Sequence, residues 1–406
     1  MNVLKLGFIG CGGYAAHLIK RVWTLPRYAT VAAVTSRKAK HSGAMACRER
    51  GIPVLPNVGE LLAHAPGQCD VIVNPTPIHL HHPYTLQCLE AGFPVWMEKP
   101  PTGTIQELDE LIAASREKNL PVQVCFNSIY GFAVQELKRD LVAGRYGKIH
   151  RIRSIAAWIR TDSYFSRNSW AGKVRFGDAW VLDGTINNPL AHVIANSLYF
   201  AAPEHHAMAE PESVQAELYH GHDIESEDTS SVRIRTVEGI EILSQFTLCP
   251  DTPITPTTVI ETDEAEIIVT DMSKVHVKRR DGKSDSIESF KENRIEMFEE
   301  LCLAHQGMAP YLCDAAMCRP FSVTINAAFD SSGRPAAIPE KHLKREPHDD
   351  SVKTVIEGVE DALQKAHEEG RLLSETGAPW ARSSSPVKTA GYNSFPVNQE
   401  LLAASA

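Results

Sequence analysis

A glycine-rich turn, Gly10-Cys11-Gly12-Gly13-Tyr14-Ala15, follows the first apolar run of the chain and opens a helically patterned stretch. It fits the GxGxxG/A spacing, with Ala15 in the third place. Gly10 permits a tight strand-to-helix turn, Gly12 lets the backbone approach a pyrophosphate, and a small residue at 15 lets the helix lie close to the strand. Phosphates then rest at a helix N-terminus, where unpaired N–H groups and the helix dipole favour anions. The spacing predicts a dinucleotide site built on Gly10, Cys11, Gly12, Gly13 and Tyr14. The end of the second strand usually carries an acid for a ribose 2′-hydroxyl. This sequence has Val34-Thr35-Ser36-Arg37-Lys38 instead. The Ser36 hydroxyl and the cations of Arg37 and Lys38 suit a 2′-phosphate, so the expected coenzyme is NADP in preference to NAD. Glu98-Lys99-Pro100 comes just after the apolar run 94–97. A partly desolvated lysine at the end of a parallel strand, beside a nicotinamide, can exchange a proton with a substrate hydroxyl.

These residues need a scaffold, and the periodicity predicts one. Apolar runs at 4–9, 31–34, 53–55, 70–73, 94–97 and 122–125 are separated by helical patterning at 14–23, 38–50, 81–90 and 104–119. Short non-alternating strands between helices mean a parallel sheet covered on both faces. After Gly147 the texture changes. Residues 148–160, 213–217, 230–235, 240–246, 259–261, 266–269 and 275–278 alternate apolar and polar side chains, as in an open antiparallel sheet. Further helices are expected at 189–200, 295–305, 313–331 and 352–369, the last stopped by Gly370. The fold class expected is α/β: an N-terminal doubly wound Rossmann sheet (1–126) and a C-terminal α+β domain with an open, mostly antiparallel sheet (127–381). The Ser- and Pro-containing stretch 382–406 is expected to be a mobile tail.

The glycine turn, Asn74-Pro75-Thr76-Pro77-Ile78-His79 after a strand, and Glu98-Lys99-Pro100 together resemble the Gfo/Idh/MocA oxidoreductases, named for glucose-fructose oxidoreductase and inositol dehydrogenase. The segments 86–92, 144–149 and 327–332 resemble the family too, so the likeness covers roughly residues 3 to 340. It implies an NAD(P)-dependent enzyme that passes hydride between nicotinamide and a hydroxyl or carbonyl carbon of a sugar, inositol or related polyol. It implies further that Asn74, Pro75, Thr76, His79, Glu98, Lys99 and Asn127 border the coenzyme. Lys99 would be the acid/base, and His192, at the start of a helix in the second domain, the other catalytic participant. The family often has an aspartate four residues before that histidine. Asn188 stands there in this chain, and Asp183 either supplies the carboxylate or caps a turn. Trp158, Tyr164 and Trp170, with Arg160, are expected near the substrate, the indoles stacking on a sugar ring. Two rival readings are a nucleotide-retaining lyase or glycosidase and a nucleotide-binding regulator without catalysis.

The net charge of −9 argues against a nucleic-acid groove or a basic membrane-binding patch. The first residues do not read as a secretory signal, and no stretch is apolar enough to span a bilayer. Nine scattered cysteines without a CxxC pair read as reduced thiols in the cytoplasm. Three histidines in 77–82 lack the carboxylate context of a metal site, so no metal is expected. By family likeness the expected assembly is a homodimer or homotetramer.

Overall fold

The computed structural model describes residues 2–38 and 40–402. The chain divides into two units: Met1–Thr102, Glu107–Phe132 and Ser289–Cys318 form the first, and Gly103–Gln106, Ala133–Glu288 and Arg319–Ala406 the second.

In the first unit, strands β1 (Leu4–Phe8), β2 (Ala29–Thr35), β3 (Val54–Leu55), β4 (Val71–Asn74), β5 (Val95–Glu98) and β6 (Val122–Cys125) alternate with helices α1 (Gly13–Val22), α2 (Ser42–Glu49), α3 (Val58–His64), α4 (Ile78–Glu90) and α5 (Ile105–Lys118). All strands run parallel in the order β3-β2-β1-β4-β5-β6. This is the expected doubly wound sheet. Its winding reverses between β1 and β4, so the crevice at their carboxyl ends is where such sheets hold ligands. Every residue of β4, β5 and β6 is buried, which is why these strands are mostly apolar, with Asn74, Glu98 and Gln123 the exceptions. Gly7 lets β1 and β4 approach: a Cβ there would lie 2.8 Å from Ile72 Cδ1. The segment 289–318 belongs to this unit, although it follows the second in sequence. Its helix Asn293–His305 packs on α1, where Arg21 Nε donates to Glu292 Oε2 at 2.7 Å. The expected helix 313–331 begins only at Arg319. Residues 313–315 instead extend beside β6, whose Val124 N–H donates to Cys313 O at 2.8 Å, because an edge strand needs backbone partners.

The second unit is built on a ten-stranded sheet. Its spatial order is Ser284–Glu288, Lys274–Arg279, Ala265–Thr270, Ile254–Thr262, Ile149–Ala157, Glu241–Thr247, Thr229–Thr236, Pro211–His220 and Ala336–Ala337, with Val387–Lys388 also paired to Pro211–His220. Two of its pairings are parallel and the rest antiparallel. Successive residues of Ile149–Ala157 face opposite ways, as the alternation predicts. Ser154 meets Ser197 of the buried helix Ala191–Ala201 at 3.2 Å, while the Arg153 guanidinium donates to His367 O of the helix Val359–Glu369 at 2.7 Å.

Two expectations are corrected here. Residues 352–369 are not one helix: Ser351–Ile356 pairs antiparallel with Leu343–His348, Gly358 turns at φ 71°, and only Val359–Glu369 is helical. Val352, Thr354, Val355 and Ile356 are β-branched and favour the strand. Gly370 ends the helix at φ 66°, as expected. The stretch 382–402 is ordered, not a mobile tail. Val387–Lys388 joins the sheet, Phe395 sits edge-on to Trp180 at 4.9 Å, and Tyr392 hydrogen-bonds buried Asp330. The low-complexity composition hides these two aromatic anchors. Residues 403–406 lie outside the described residues.

Candidate active site

The nucleotide-binding edge of the first unit is shaped by what cannot fit there. Gly10 (φ 105°) and Gly13 (φ 51°) occupy the left-handed region that β-carbons disfavour. A Cβ on Gly12 would lie 2.7 Å from His41 Cε1. His41 comes from the start of α2, where its Nδ1 accepts the Gly43 N–H at 3.1 Å. Among the described residues no side chain caps α1, so its first amides point out of the turn as an anion would require. The Gly10 N–H donates to Thr35 Oγ1 at 2.8 Å, tying the turn to the end of β2. Beyond Thr35, the Ser36 hydroxyl donates to Lys38 O at 2.9 Å, and Arg37 and Lys38 are exposed. Tyr14 is exposed on the first turn of α1, and its hydroxyl accepts from Arg294 Nε at 3.0 Å. These features fit a dinucleotide: a backbone cradle that only glycine permits, an uncapped helix start and surface cations past β2.

The Lys99 corner is held by residues around it. Asn74, fully buried at the end of β4, donates to His81 O at 3.2 Å and Thr85 Oγ1 at 3.1 Å, and accepts from Thr76 Oγ1 at 2.7 Å. Its side chain is therefore committed to shaping the Pro75–Pro77 turn. His79 lies half-buried in the first turn of α4, and burial holds its imidazole below the ordinary value. His81, one turn on, reaches Thr76 O with Nε2 at 2.7 Å and Pro100 O with Nδ1 at 2.8 Å. It braces the 74–77 turn against the peptide that follows Lys99, and burial pushes its pKa down to about 4. Glu98 is buried at the end of β5. Its Oε2 accepts the Lys99 N–H at 3.2 Å, and Oε1 is buried with no hydrogen-bond partner among the described residues. Burial pushes this carboxyl up to about 7, against the pull of Lys99 and Arg294. Asn127 is buried two residues past β6, its N–H donating to Cys125 O at 2.9 Å.

In the second unit the structure brings Trp158, Tyr164, Trp170, Asp183 and Asn188 into one wall, with two arginines between the rings. The Arg160 guanidinium lies 5.2 Å from the Trp158 centroid and 5.1 Å from that of Tyr164. Arg167 lies 3.7 Å from Tyr164 and 5.2 Å from Trp170. Asp183 is buried and fully engaged. Its Oδ2 accepts Gly172 N–H at 2.8 Å and Arg167 Nη2 at 3.3 Å, and its Oδ1 accepts Asn188 Nδ2 at 2.6 Å. Of the two roles open to it, the turn-organising one is what the hydrogen bonds describe. His192 is the second residue of the helix Ala191–Ala201, and 9% of it is exposed. The 183–188 turn below it rests on Glu227, whose Oε1 accepts Ile186 N–H at 3.1 Å and Thr185 Oγ1 at 3.2 Å. Glu227 fills the space a side chain at 184 would need, so any side chain there would have to displace the buried Glu227 carboxylate.

His41, His81, Arg167 and Glu227 were not singled out as site residues. His81 lies in the histidine-rich piece considered only for a metal. Arg167, three residues from both Tyr164 and Trp170, carried a signal in its spacing. Glu227 carried none: Glu225-Ser226-Glu227-Asp228 reads as a solvated loop, yet Ser226, Glu227 and Asp228 have no exposed surface.

Residues 4–126 match the family model described as an oxidoreductase family with an NAD-binding Rossmann fold. An inositol 2-dehydrogenase from Saccharopolyspora erythraea is 29% identical over 153 residues, 37% of this chain and 44% of that protein. A putative oxidoreductase, YceM, from Salmonella typhimurium is 24% identical over 208 residues, 50% of this chain and 58% of that protein. The chain thus spans about half the length of these curated relatives. Among solved structures, a levoglucosan dehydrogenase in complex with NADH and levoglucosan superposes with a TM-score of 0.69 at 17% identity, covering 82% of this chain and 97% of that one. The WlbA dehydrogenase from Bordetella pertussis, in complex with NADH and UDP-GlcNAcA, gives 0.68 at 18% identity with the same coverage. Both share the fold. Among the described residues, no helix is long and apolar enough to cross a membrane.

Proposed function

We propose that this chain, whose residues 4–126 match the oxidoreductase family model with an NAD-binding Rossmann fold, is a member of the Gfo/Idh/MocA family and an NAD(P)-dependent dehydrogenase or reductase of a sugar, inositol or related polyol. The observation that carries this reading is the shared sheet edge: the Gly10–Gly13 turn follows β1, and Lys99 follows β5, at the carboxyl ends of one parallel sheet. The bound nicotinamide dinucleotide supplies or takes the hydride. Gly10, Gly12, Gly13 and the first amides of α1 hold its phosphates. Lys99 exchanges the proton of the substrate hydroxyl, with Glu98 and the His81–Pro100 brace fixing its backbone. His192, in the second unit, is the other candidate catalytic residue, suited to orient a hydroxyl or share a proton. Trp158 and Trp170 each carry one guanidinium and Tyr164 carries two, so this wall offers a polyol Arg160 and Arg167 donors alongside aromatic surface. Nine free, buried thiols suit a reducing, cytoplasmic setting.

The test is a panel of polyols and sugars with both coenzymes, followed by absorbance of the reduced nicotinamide. Lys99→Met is expected to lower kcat by roughly 100- to 10,000-fold, the usual worth of general acid–base catalysis, with coenzyme affinity retained. Unchanged turnover would remove Lys99 from the chemistry. For the NADP preference, Arg37→Ala is expected to weaken NADP binding by about 10- to 100-fold, the worth of a charge-assisted hydrogen bond, and to leave NAD binding alone. Equal loss of both would reverse the assignment.

A further inference from the structure

A cluster that takes no part in the proposed chemistry joins three chemically different ligand groups. His222 lies in the loop after Pro211–His220, Asp228 immediately precedes Thr229–Thr236, and Cys249 follows Glu241–Thr247. His222 is 3% exposed, and the other two have no exposed surface. Asp228 Oδ2 stands 2.8 Å from His222 Nδ1, and Cys249 Sγ stands 3.2 Å from that same nitrogen. All three ligand atoms lie within 4.8 Å of one another.

We propose that His222, Asp228 and Cys249 form a buried binding site for one divalent transition ion of the zinc class. The geometry separates this from a proton relay. A relay runs through both nitrogens of an imidazole, one towards the thiol and one towards the carboxylate. Here both His222 contacts fall on Nδ1, which can donate only one hydrogen, the Cys249 thiol also reaches the Asp228 carboxylate directly, and Nε2 is buried without a hydrogen-bond partner among the described residues. Convergence on one point is what a cation requires. The donor set is nitrogen, oxygen and sulfur, which suits zinc or cobalt over magnesium or calcium. Charge also balances: binding displaces the thiol proton, the imidazole proton moves from Nδ1 to Nε2 so that the ring stays neutral, and thiolate plus carboxylate then cancel the ion's two positive charges in a buried place. The carboxylate is already oriented, as ligating carboxylates are. It accepts Gly221 N–H at 2.9 Å, His222 N–H at 2.8 Å and Thr229 Oγ1 at 3.1 Å. Access comes by local opening of the 221–228 loop, whose Asp223 and Glu225 are exposed. With the imidazole ring tilted against Phe165 at 4.7 Å, the ion acts as a clasp joining three strand ends.

The experiment uses the full chain, stripped with a chelator, shown folded by circular dichroism and titrated with Co²⁺. One equivalent is expected to raise a thiolate-to-cobalt charge-transfer band, and Zn²⁺ is expected to abolish it by displacement. Cys249→Ser is expected to lose the band, and Asp228→Asn to weaken Co²⁺ binding by roughly 10-fold or more. A folded wild-type protein that gives no charge-transfer band overturns the proposal, as does a band that survives Cys249→Ser. The wild-type titration alone decides if either variant fails to fold.

Discussion

Lys138, on the helix Phe132–Val142, has no exposed surface, and its ammonium donates to Tyr199 O at 2.5 Å and Ala202 O at 2.6 Å. These carbonyls end the helix that begins beside His192, where Tyr199 O also accepts the Ala202 N–H at 3.4 Å. The lysine thus caps the helix that presents the candidate histidine. Burial lowers its pKa from 10.5 to about 7, with Glu204 pulling weakly the other way. The sign follows from linkage. In the unfolded chain the amine keeps its proton up to about pH 10.4, whereas in the folded chain it loses it near 7. Between those values the unfolded state binds more protons, so stability rises with pH at about 1.4 kcal/mol per pH unit. Below about 7 the whole cost of burying the charge is present. The gap of about 3.5 pH units corresponds to about 5 kcal/mol. Lys138→Met keeps most of the stem and removes the titration. Urea unfolding of both proteins, followed by circular dichroism from about pH 6.5 to about 10, isolates the lysine, because every other titrating group cancels in the difference. The wild type is expected to gain about 3–4 kcal/mol on the variant across that range, whatever their constant offset from the lost cap. Parallel stability curves would refute a buried lysine with a lowered pKa.

The glycines allow sharper tests. Gly12→Ala places a methyl group 2.7 Å from His41 Cε1 at the pyrophosphate turn. It is expected to weaken coenzyme binding by about 10- to 100-fold in a fluorescence titration, with the unfolding midpoint little changed; unchanged affinity would show that the phosphates lie elsewhere. Gly184→Ala drives a methyl group into the Glu227 carboxylate. Its expected cost is roughly 1–3 kcal/mol of stability, together with a raised KM for the polyol, since the 183–188 turn must shift. A variant with wild-type stability and KM would show that this turn tolerates displacement.

What could be read in the chain and what could not divide along a physical line. The Rossmann strands announced themselves because a strand buried on both faces is mostly apolar, and 122–125 was bounded to the residue although Gln123 interrupts it. The open sheet announced itself by alternation. Both signals are local and periodic. The segment 313–318 was misread as helix because its strand-like pairing with β6 comes from a partner nearly two hundred residues away, which no local pattern reports. The same holds for site residues. Lys99 and the glycine turn stand out in the sequence as candidates because chemistry fixes both residue type and spacing. Asp183 was legible as a carboxylate, but its role was not, since that role is set by Gly172, Arg167 and Asn188 converging on it. Glu227 and Lys138 go further. A charged residue in sequence argues for solvent, and only a structure shows that each is buried against backbone groups that accept or donate to it. Side chains that brace a site from behind answer to tertiary geometry alone, so the residues that do chemistry are read from sequence sooner than those that hold them in place.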